Sequence, residues 1–287
     1  MSDRPRVTST PPAPGDPVPH TIAVHGRQFA YDKRFHEPWW EKVVAGVWEP
    51  ETFVIFDTFI RAGGTLIDVG AWIGPTVLYG ATLADRVVAF EPDPAALRIL
   101  KCNIAANPGL AGKIDLHEAA LGTFDGTAPI FNNAPGNSGT SLLSRFGYTA
   151  VQEQKPFADV TILDARRFLS AMPMDKVSLI KIDTEGAEYD LVPYMAEALQ
   201  RHRPTVHVSL HPFNLFFGDG AADERRRTEK TLALLDALAG YRFGYVVQHG
   251  KPFRVDGPKA IAEFVRERGL SSLTNFVVSE VEAFEPP

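Results

Sequence analysis

A single cysteine, Cys102, leaves this 287-residue chain without an intrachain disulfide, which points to a reducing, cytoplasmic compartment. No apolar run reaches the roughly 18 residues of a membrane span, so no membrane partner is expected. A basic stripe is missing too. Lys and Arg number 29 against 35 Asp and Glu, scattered along the chain, and nucleic acid is not an expected partner. No internal repeat is visible. The first 20 residues lack the apolar core of a signal peptide and are dense in proline, the composition of a disordered lead. What remains is ordinary for a globular protein: 45% hydrophobic and 22% charged.

Residues 21–63 are rich in aromatics ("FHEPWWEKVVAGVW") and are expected to form a cap. Within it "PETFVIFDTFIRAGG" has helical spacing and a Gly63-Gly64 stop. Residues 64–287 then alternate strand-like and helix-like runs. Strands are expected at Thr65 to Val69, "RVVAFE", "KIDLHEA", "VSLIKID", "RPTVHVSLHP", "YRFGYVVQ" and "LTNFVVSE". Helices are expected from Gly74 to Thr82, over "DPAALRILKCNIAANPG", from about Ala187, and from Ala222 to Leu238. The segment from Gly122 to Pro156 reads as a loop or β-excursion. This alternation predicts an α/β fold with a doubly wound, mostly parallel sheet covered on both faces.

The stretch "TLIDVGAWIGPTVLYGA" joins a strand, a glycine turn and a helix, the layout of a nucleotide-type site. Glu91, 17 residues past Gly74, stands near the distance expected of an acid that binds ribose hydroxyls. Two ligand classes fit: dinucleotides and S-adenosylmethionine. Asp68 favours the second, because it would repel a pyrophosphate but can hold an ammonium group. Trp72 inside the turn also counts against close backbone approach to a pyrophosphate. The plain alternative is a βα turn that uses glycine for backbone reasons alone.

"LIDVGAWIG", "VVAFEPDPAALRILKCNIAAN", "EAALGTFDG", "GNSGTSLL", "VTILDARRFL" and "LIKIDTEGAEYDLV" occur in this order and together resemble the FkbM family of S-adenosylmethionine-dependent methyltransferases over residues 49–244. The resemblance implies a Rossmann-like class I methyltransferase fold, seven-stranded with an antiparallel last strand, and methylation of a hydroxyl on a sugar or secondary metabolite. It implies that Asp68, Gly70, Ala71, Trp72 and Gly74 frame the methionine moiety. Glu91, followed by Pro92, would take the ribose, and the small Ala119 and Ala120 would let adenine lie flat. Two positions depart from the family: Trp72 where Asn is usual, and Ser209 where an acid is frequent.

Asp183, at the end of the fourth strand, should point into the crevice. Lys181 shares its face and needs a partner if buried. Glu185 and Glu188 stand at the start of the next helix, where acids also favour its positive end. "VHVSLHP" places His207, Ser209 and His211 on one face of the fifth strand. Asp183 and His211 could then share one site, with a near-neutral His211 as general base, Asp183 orienting it and Glu185 beside them. A divalent cation held by the same residues is the less favoured alternative, since Ser209 offers no carboxylate. Trp39, Trp40 and Trp48 line an acceptor pocket or form the underside of a lid. Asn132, Asn133, Asn137 and Ser138 contact substrate or simply build turns.

The resulting expectation is a cytoplasmic S-adenosylmethionine-dependent O-methyltransferase. Its partner is a small-molecule acceptor, a sugar or natural product, and a homodimer is an open alternative. An N-methyltransferase, a dinucleotide-binding oxidoreductase and a noncatalytic binding module are the rivals.

Overall fold

The computed structural model describes residues 16–131, 136, 138–143, 155–215, 220–248 and 250–285. In chain order the strands and helices are β1 (Pro19–Val24), β2 (Arg27–Asp32), α1 (Glu37–Val44), α2 (Pro50–Phe59), β3 (Thr65–Val69), α3 (Pro75–Leu83), β4 (Arg86–Phe90), α4 (Pro94–Ala105), α5 (Pro108–Ala111), β5 (Ile114–His117), β6 (Ala120–Gly122), β7 (Gly126–Ile130), β8 (Ala158–Asp164), α6 (Ala165–Ser170), β9 (Val177–Ile182), α7 (Glu188–His202), β10 (Thr205–Ser209), α8 (Gly220–Ala237), β11 (Phe243–Gln248), β12 (Lys251–Val255), α9 (Gly257–Arg268) and β13 (Asn275–Ser279).

The main sheet has the order β12-β11-β13-β10-β9-β3-β4-β5. Five strands from β10 to β5 run parallel, and the last strand, β13, is antiparallel to both β10 and β11. The expected seven strands are all present. β12 adds an eighth at the edge, hairpinned onto β11. The buried strands read as continuous apolar runs because both faces are covered. Every residue of β3 is buried. One face packs on α1 to α4 through Trp40, Phe56, Val77 and Leu100. The other packs on α6 to α9 through Leu169, Leu191, Leu234 and Ile261.

Residues 21–63 are more than a helical cap. β1 and β2 form a hairpin whose turn, His25-Gly26, has both residues at positive φ (45° and 79°), as a two-residue primed turn requires. β1 starts at Pro19, two residues inside the segment expected as a lead. The hairpin is tied to α4 and to the turn after it by buried amides: Asn107 Oδ1 accepts from Ala30 N–H at 2.7 Å, and Asn103 Oδ1 accepts from Asp32 N–H at 2.8 Å. The excursion after β5 contains β6 and β7, which join β8 in a separate three-stranded sheet. Asn132, Asn133 and Asn137 lie outside the described residues. Among the described residues no helix is long and apolar enough to cross a membrane.

The strand order reverses between β3 and β9. From there β4 and β5 lie to one side and β10 to the other. Ligands of open α/β sheets bind at the carboxyl ends of strands flanking such a switch, and the principal cleft of this molecule opens there.

Candidate active site

The cleft encloses about 470 Å³, within the roughly 300–1,000 Å³ usual for small-molecule sites. Its walls come from the ends of β3, β4, β9 and β10, with Trp48, Glu49 and Glu51 from the α1–α2 junction.

The turn after β3 is held by backbone bonds. Gly70 and Ala71 N–H both donate to the Phe90 carbonyl, at 3.1 and 3.0 Å. Asp183 N–H donates to the Val69 carbonyl at 3.0 Å, bringing the tips of β3 and β9 together. Gly70 is required here. Its φ is 88°, and a Cβ would stand 1.8 Å from the Asp183 carbonyl oxygen. Trp72 has a left-handed φ of 48°. Asn tolerates that region better than other side chains, which suits the Asn that the family resemblance leads one to expect there. The indole Nε1–H donates to the Gly136 carbonyl at 2.9 Å, and the ring packs against Trp39 and Trp48.

Glu91 lines the cleft at the end of β4. Its Oε2 accepts from Trp72 N–H at 2.7 Å and its Oε1 from Asp93 N–H at 2.8 Å. Burial pushes its carboxyl up to about 8, despite those two bonds. Asp93 caps α4, accepting from Ala95 N–H at 2.7 Å.

Asp68 corrects the sequence reading. It is wholly buried and lies behind the cleft wall. Sheet register aligns it with Lys181 on β9. Its Oδ1 is 3.2 Å from Lys181 Nζ, and its Oδ2 accepts from the Thr76 hydroxyl at 2.6 Å. The carboxylate meant for a ligand ammonium is therefore spent on the chain's own lysine. Thr76 and Lys181 stand in the cleft wall instead. Gly74 also falls outside the lining. At φ 97° it starts α3, and a Cβ there would stand 2.4 Å from Leu100 Cδ1. Gly70, Ala71, Trp72, Pro92 and Ala120 do line the cleft. Ala119 is buried but does not, and the two alanines follow β5 rather than end it.

Lys181 has the partners its burial demands. Besides Asp68, Nζ lies 3.4 Å from Asp183 Oδ2 and donates to the Gly70 carbonyl at 3.2 Å. Burial alone would lower its pKa, but Asp68, Asp183 and Glu49 hold it above the usual lysine range. Burial likewise opposes ionisation of Asp183, and Lys181 followed by His211 keeps it below the usual carboxylate range.

The expected meeting of Asp183, Glu185 and His211 occurs. His211 Nε2 is 3.5 Å from Asp183 Oδ1 and 3.6 Å from Glu185 Oε1. Its Nδ1 is 3.3 Å from Glu188 Oε1, an oxygen that also accepts from His211 N–H at 2.8 Å. Glu188 is thus more than an acid at a helix start. It is fully buried, and its Oε2 accepts from Gly186 N–H and the Thr184 hydroxyl. Glu185 Oε2 accepts from Asn214 Nδ2 at 2.7 Å. The expected near-neutral histidine is not found. Burial favours the neutral ring, but Glu188, Glu185 and Asp183 overrule it and push His211 up to about 10. The ring therefore favours its charged form while those carboxylates face it, and could serve as a base only once deprotonated.

His207 is fully buried opposite Lys181, and burial, helped by that lysine, pushes it down to about 4. Ser209 and Ser138 line the cleft. The tryptophans divide: Trp40 stacks on Tyr31 in the core, Trp39 packs on Trp72, and Trp48 lines the cleft. Glu49 carries no sequence signal. It precedes α2 in a left-handed conformation and lines the cleft near Asp183. Withdrawal from water, then the Asp183 charge, pushes its carboxyl up to about 8. Burial pushes Glu185 up to about 7.

A family model described as the methyltransferase FkbM domain matches residues 68–246. The chain is 26% identical over 152 residues to methyltransferase sdnD of Sordaria araneosa, covering 44% of this chain and 58% of that one. It is 38% identical over 68 residues to the ribosomal protein L11 methyltransferase of Pelotomaculum thermopropionicum, covering 23% and 22% respectively. The chain thus spans little over half of the first relative's length and less of the second's. Among solved structures, methyltransferase FkbM from Methylobacillus flagellatus KT matches with a TM-score of 0.45 at 15% identity, over 76% of this chain and 44% of that one. An rRNA methylase from Streptococcus thermophilus matches with a TM-score of 0.40 at 7% identity, over 80% and 95%.

Proposed function

The chain belongs to the FkbM methyltransferase family, and from that premise we propose that it transfers a methyl group from S-adenosylmethionine to a hydroxyl of a small molecule. The observation that carries this reading is the charge of the cleft. Glu49, Glu51, Glu91, Asp183 and Glu185 line it, while Lys181 and His211 are both already engaged by carboxylates. Such a wall offers a pyrophosphate no free cation, whereas a bound ammonium or sulfonium would draw the burial-raised carboxyls into the charged form that attracts it. Apolar Val69, Phe90, Leu121 and Ile130 supply a surface for a flat base. For the dinucleotide alternative the described cleft lining holds no cation besides Lys181 and His211.

When bound, the donor supplies an electrophilic methyl on a sulfonium. The chain's part is to align and to remove a proton. Each Glu91 oxygen has one lone pair on a backbone N–H and keeps another for a ribose hydroxyl. Gly70, Ala71 and Trp72 form the wall beside the methionine portion. As the acceptor oxygen gains the methyl and the sulfur recovers the bonding pair, the hydroxyl proton passes to Glu49. Glu49 lines the cleft, and it accepts the proton in its ionised form; the carboxyl raised to about 8 makes that form a stronger base than an ordinary glutamate, with a share that grows as pH rises through about 8.

Calorimetry tests the reading. S-adenosylhomocysteine should bind in the micromolar range, roughly −7 to −8 kcal/mol, and NADH should not. Binding of NADH without S-adenosylhomocysteine would overturn it. Transfer of labelled methyl to a panel of hydroxylated small molecules would then name the acceptor.

A further inference from the structure

Three side chains at the acceptor end of the cleft each have one atom held by the protein and one atom turned toward a common point. Asp183 Oδ2 faces Lys181 at 3.4 Å, leaving Oδ1. Glu185 Oε2 accepts from Asn214, leaving Oε1. His211 Nδ1 faces buried Glu188, leaving Nε2. The three remaining atoms lie within 4.8 Å of one another.

We propose that Asp183 Oδ1, Glu185 Oε1 and His211 Nε2 form a site for one divalent transition cation of the zinc type. The spacing is the main argument. Nε2 stands 3.5 and 3.6 Å from the two oxygens, longer than the roughly 2.7–3.2 Å of an N–H···O bond. Two ligands each about 2.0–2.2 Å from a tetrahedral ion lie roughly 3.3–3.6 Å apart. The pattern therefore suits a shared ion better than direct hydrogen bonds. The outer contacts agree with this. A carboxylate on the far ring nitrogen is the usual way a protein aims a ligating histidine, and ligating carboxylates are themselves hydrogen-bonded. One imidazole with two carboxylates suits a borderline ion better than calcium, which takes six to eight oxygens. Three protein ligands also leave a coordination position open, as catalytic sites do.

Charge points the same way. Asp183, Glu185 and Glu188 face His211 at this end of the cleft, and Lys181 is the other cation in its described lining. The open position would receive the acceptor hydroxyl. That use rests on the methyl-transfer reading; the binding of the ion does not. The site reverses the metal-free expectation drawn from Ser209, because the third ligand comes from Glu185 in the loop after β9 instead of from β10.

The test is titration of the apo chain with zinc alone, followed by cobalt(II) absorption, with S-adenosylhomocysteine binding measured separately in EDTA. One zinc per chain should bind with micromolar or tighter affinity, and cobalt should show the intense visible bands of a tetrahedral site. Glu185→Gln and His211→Ala should each weaken binding by 10-fold or more, while His202→Ala, an exposed histidine, should not. If His211→Ala does not fold, Glu185→Gln decides, since it keeps the side-chain shape. Absence of stoichiometric zinc, or stoichiometric zinc indifferent to Glu185→Gln, would show that a protonated His211 merely bridges the carboxylates and would overturn the proposal. Because donor binding is read in EDTA, failure of the metal site and failure of the methyl-transfer reading give different results.

Discussion

At the tips of β3 and β4, the buried carboxylate oxygens meet donors from the chain itself. Asp68 takes Lys181 and Thr76, Glu91 takes two backbone N–H groups, and Asp93 takes Ala95 N–H, Gly136 N–H and the Thr140 hydroxyl. At the tips of β9 and β10, Asp183, Glu185 and His211 are held on their outer atoms, while His211 Nε2 stands 3.5 and 3.6 Å from the inner oxygens of Asp183 and Glu185. The first region is a finished mould whose bonds set a backbone shape for the donor. The second is braced from behind and incomplete in front. The three side chains keep 13–19% exposure to the cleft, so a ligand that enters it can reach all of them.

The largest break should come from the residue that joins the two regions. Lys181→Met leaves Asp68 and Asp183 without their shared cation. Removing one partner of a buried ion pair costs about 3–5 kcal/mol. The lower end is expected, because burial already pushes Asp68 toward its neutral form and it can take up a proton. Urea unfolding at neutral pH measures this. A loss under about 1 kcal/mol would show that water reaches the pair and that the donor side is less closed than described.

Next in size is Glu91→Ala. Sequence reasoning gives Glu91 only the ribose hydroxyls. The structure makes it also the acceptor for Trp72 and Asp93 N–H, at 5% exposure. Donor affinity should fall by about 1.5–3 kcal/mol, and stability by roughly 1–3 kcal/mol for the stranded N–H groups. Calorimetry with S-adenosylhomocysteine and thermal melts should therefore move together. Lost affinity at unchanged stability would mean that the turn keeps its shape without Glu91.

The contrast between the regions also explains what was legible in the sequence. The β/α alternation is local, so the central strands and helices could be read directly. Lys181 and Asp183 share a strand face by simple alternation, and Glu185 and His211 follow the carboxyl ends of adjacent strands. Those features needed only strand order. The fate of Asp68 needed register, because a shift of one residue relative to β9 would have removed Lys181 as its partner. Glu49 reaches Asp183 from 134 positions away in sequence through a non-helical turn, and no periodicity encodes that. The β1–β2 hairpin could have been found, since "HTIAVHGRQFAYD" has strand-like runs on both sides of a His-Gly turn. The β12–α9 segment was also open to reading, given Gly257-Pro258 at its helix start and apolar positions at Ile261, Phe264 and Val265.

The smallest expected effect sharpens the incomplete side through pH. Glu49 has an ordinary carboxyl pKa near 4.5, raised to about 8 in the folded chain by withdrawal from water and then by Asp183. A raised carboxyl pKa means that folding prefers the protonated form. Its contribution to stability is complete below about pH 4.5 and is lost as pH rises through about 8. Glu185 acts in the same direction, with its folded pKa at about 7. Without donor or metal, the chain should therefore lose stability between pH 5 and pH 8.5. Glu49→Gln keeps the side chain neutral at every pH and should reduce that loss by on the order of 1 kcal/mol, allowing for solvent around a half-buried group. Urea titrations of both proteins at pH 5 and 8.5 measure the difference. The variant should match the wild type at pH 5 and exceed it at pH 8.5. An identical loss in both would mean that the Glu49 carboxyl is not raised by the fold, and would remove the extra basicity on which its role as proton acceptor rests.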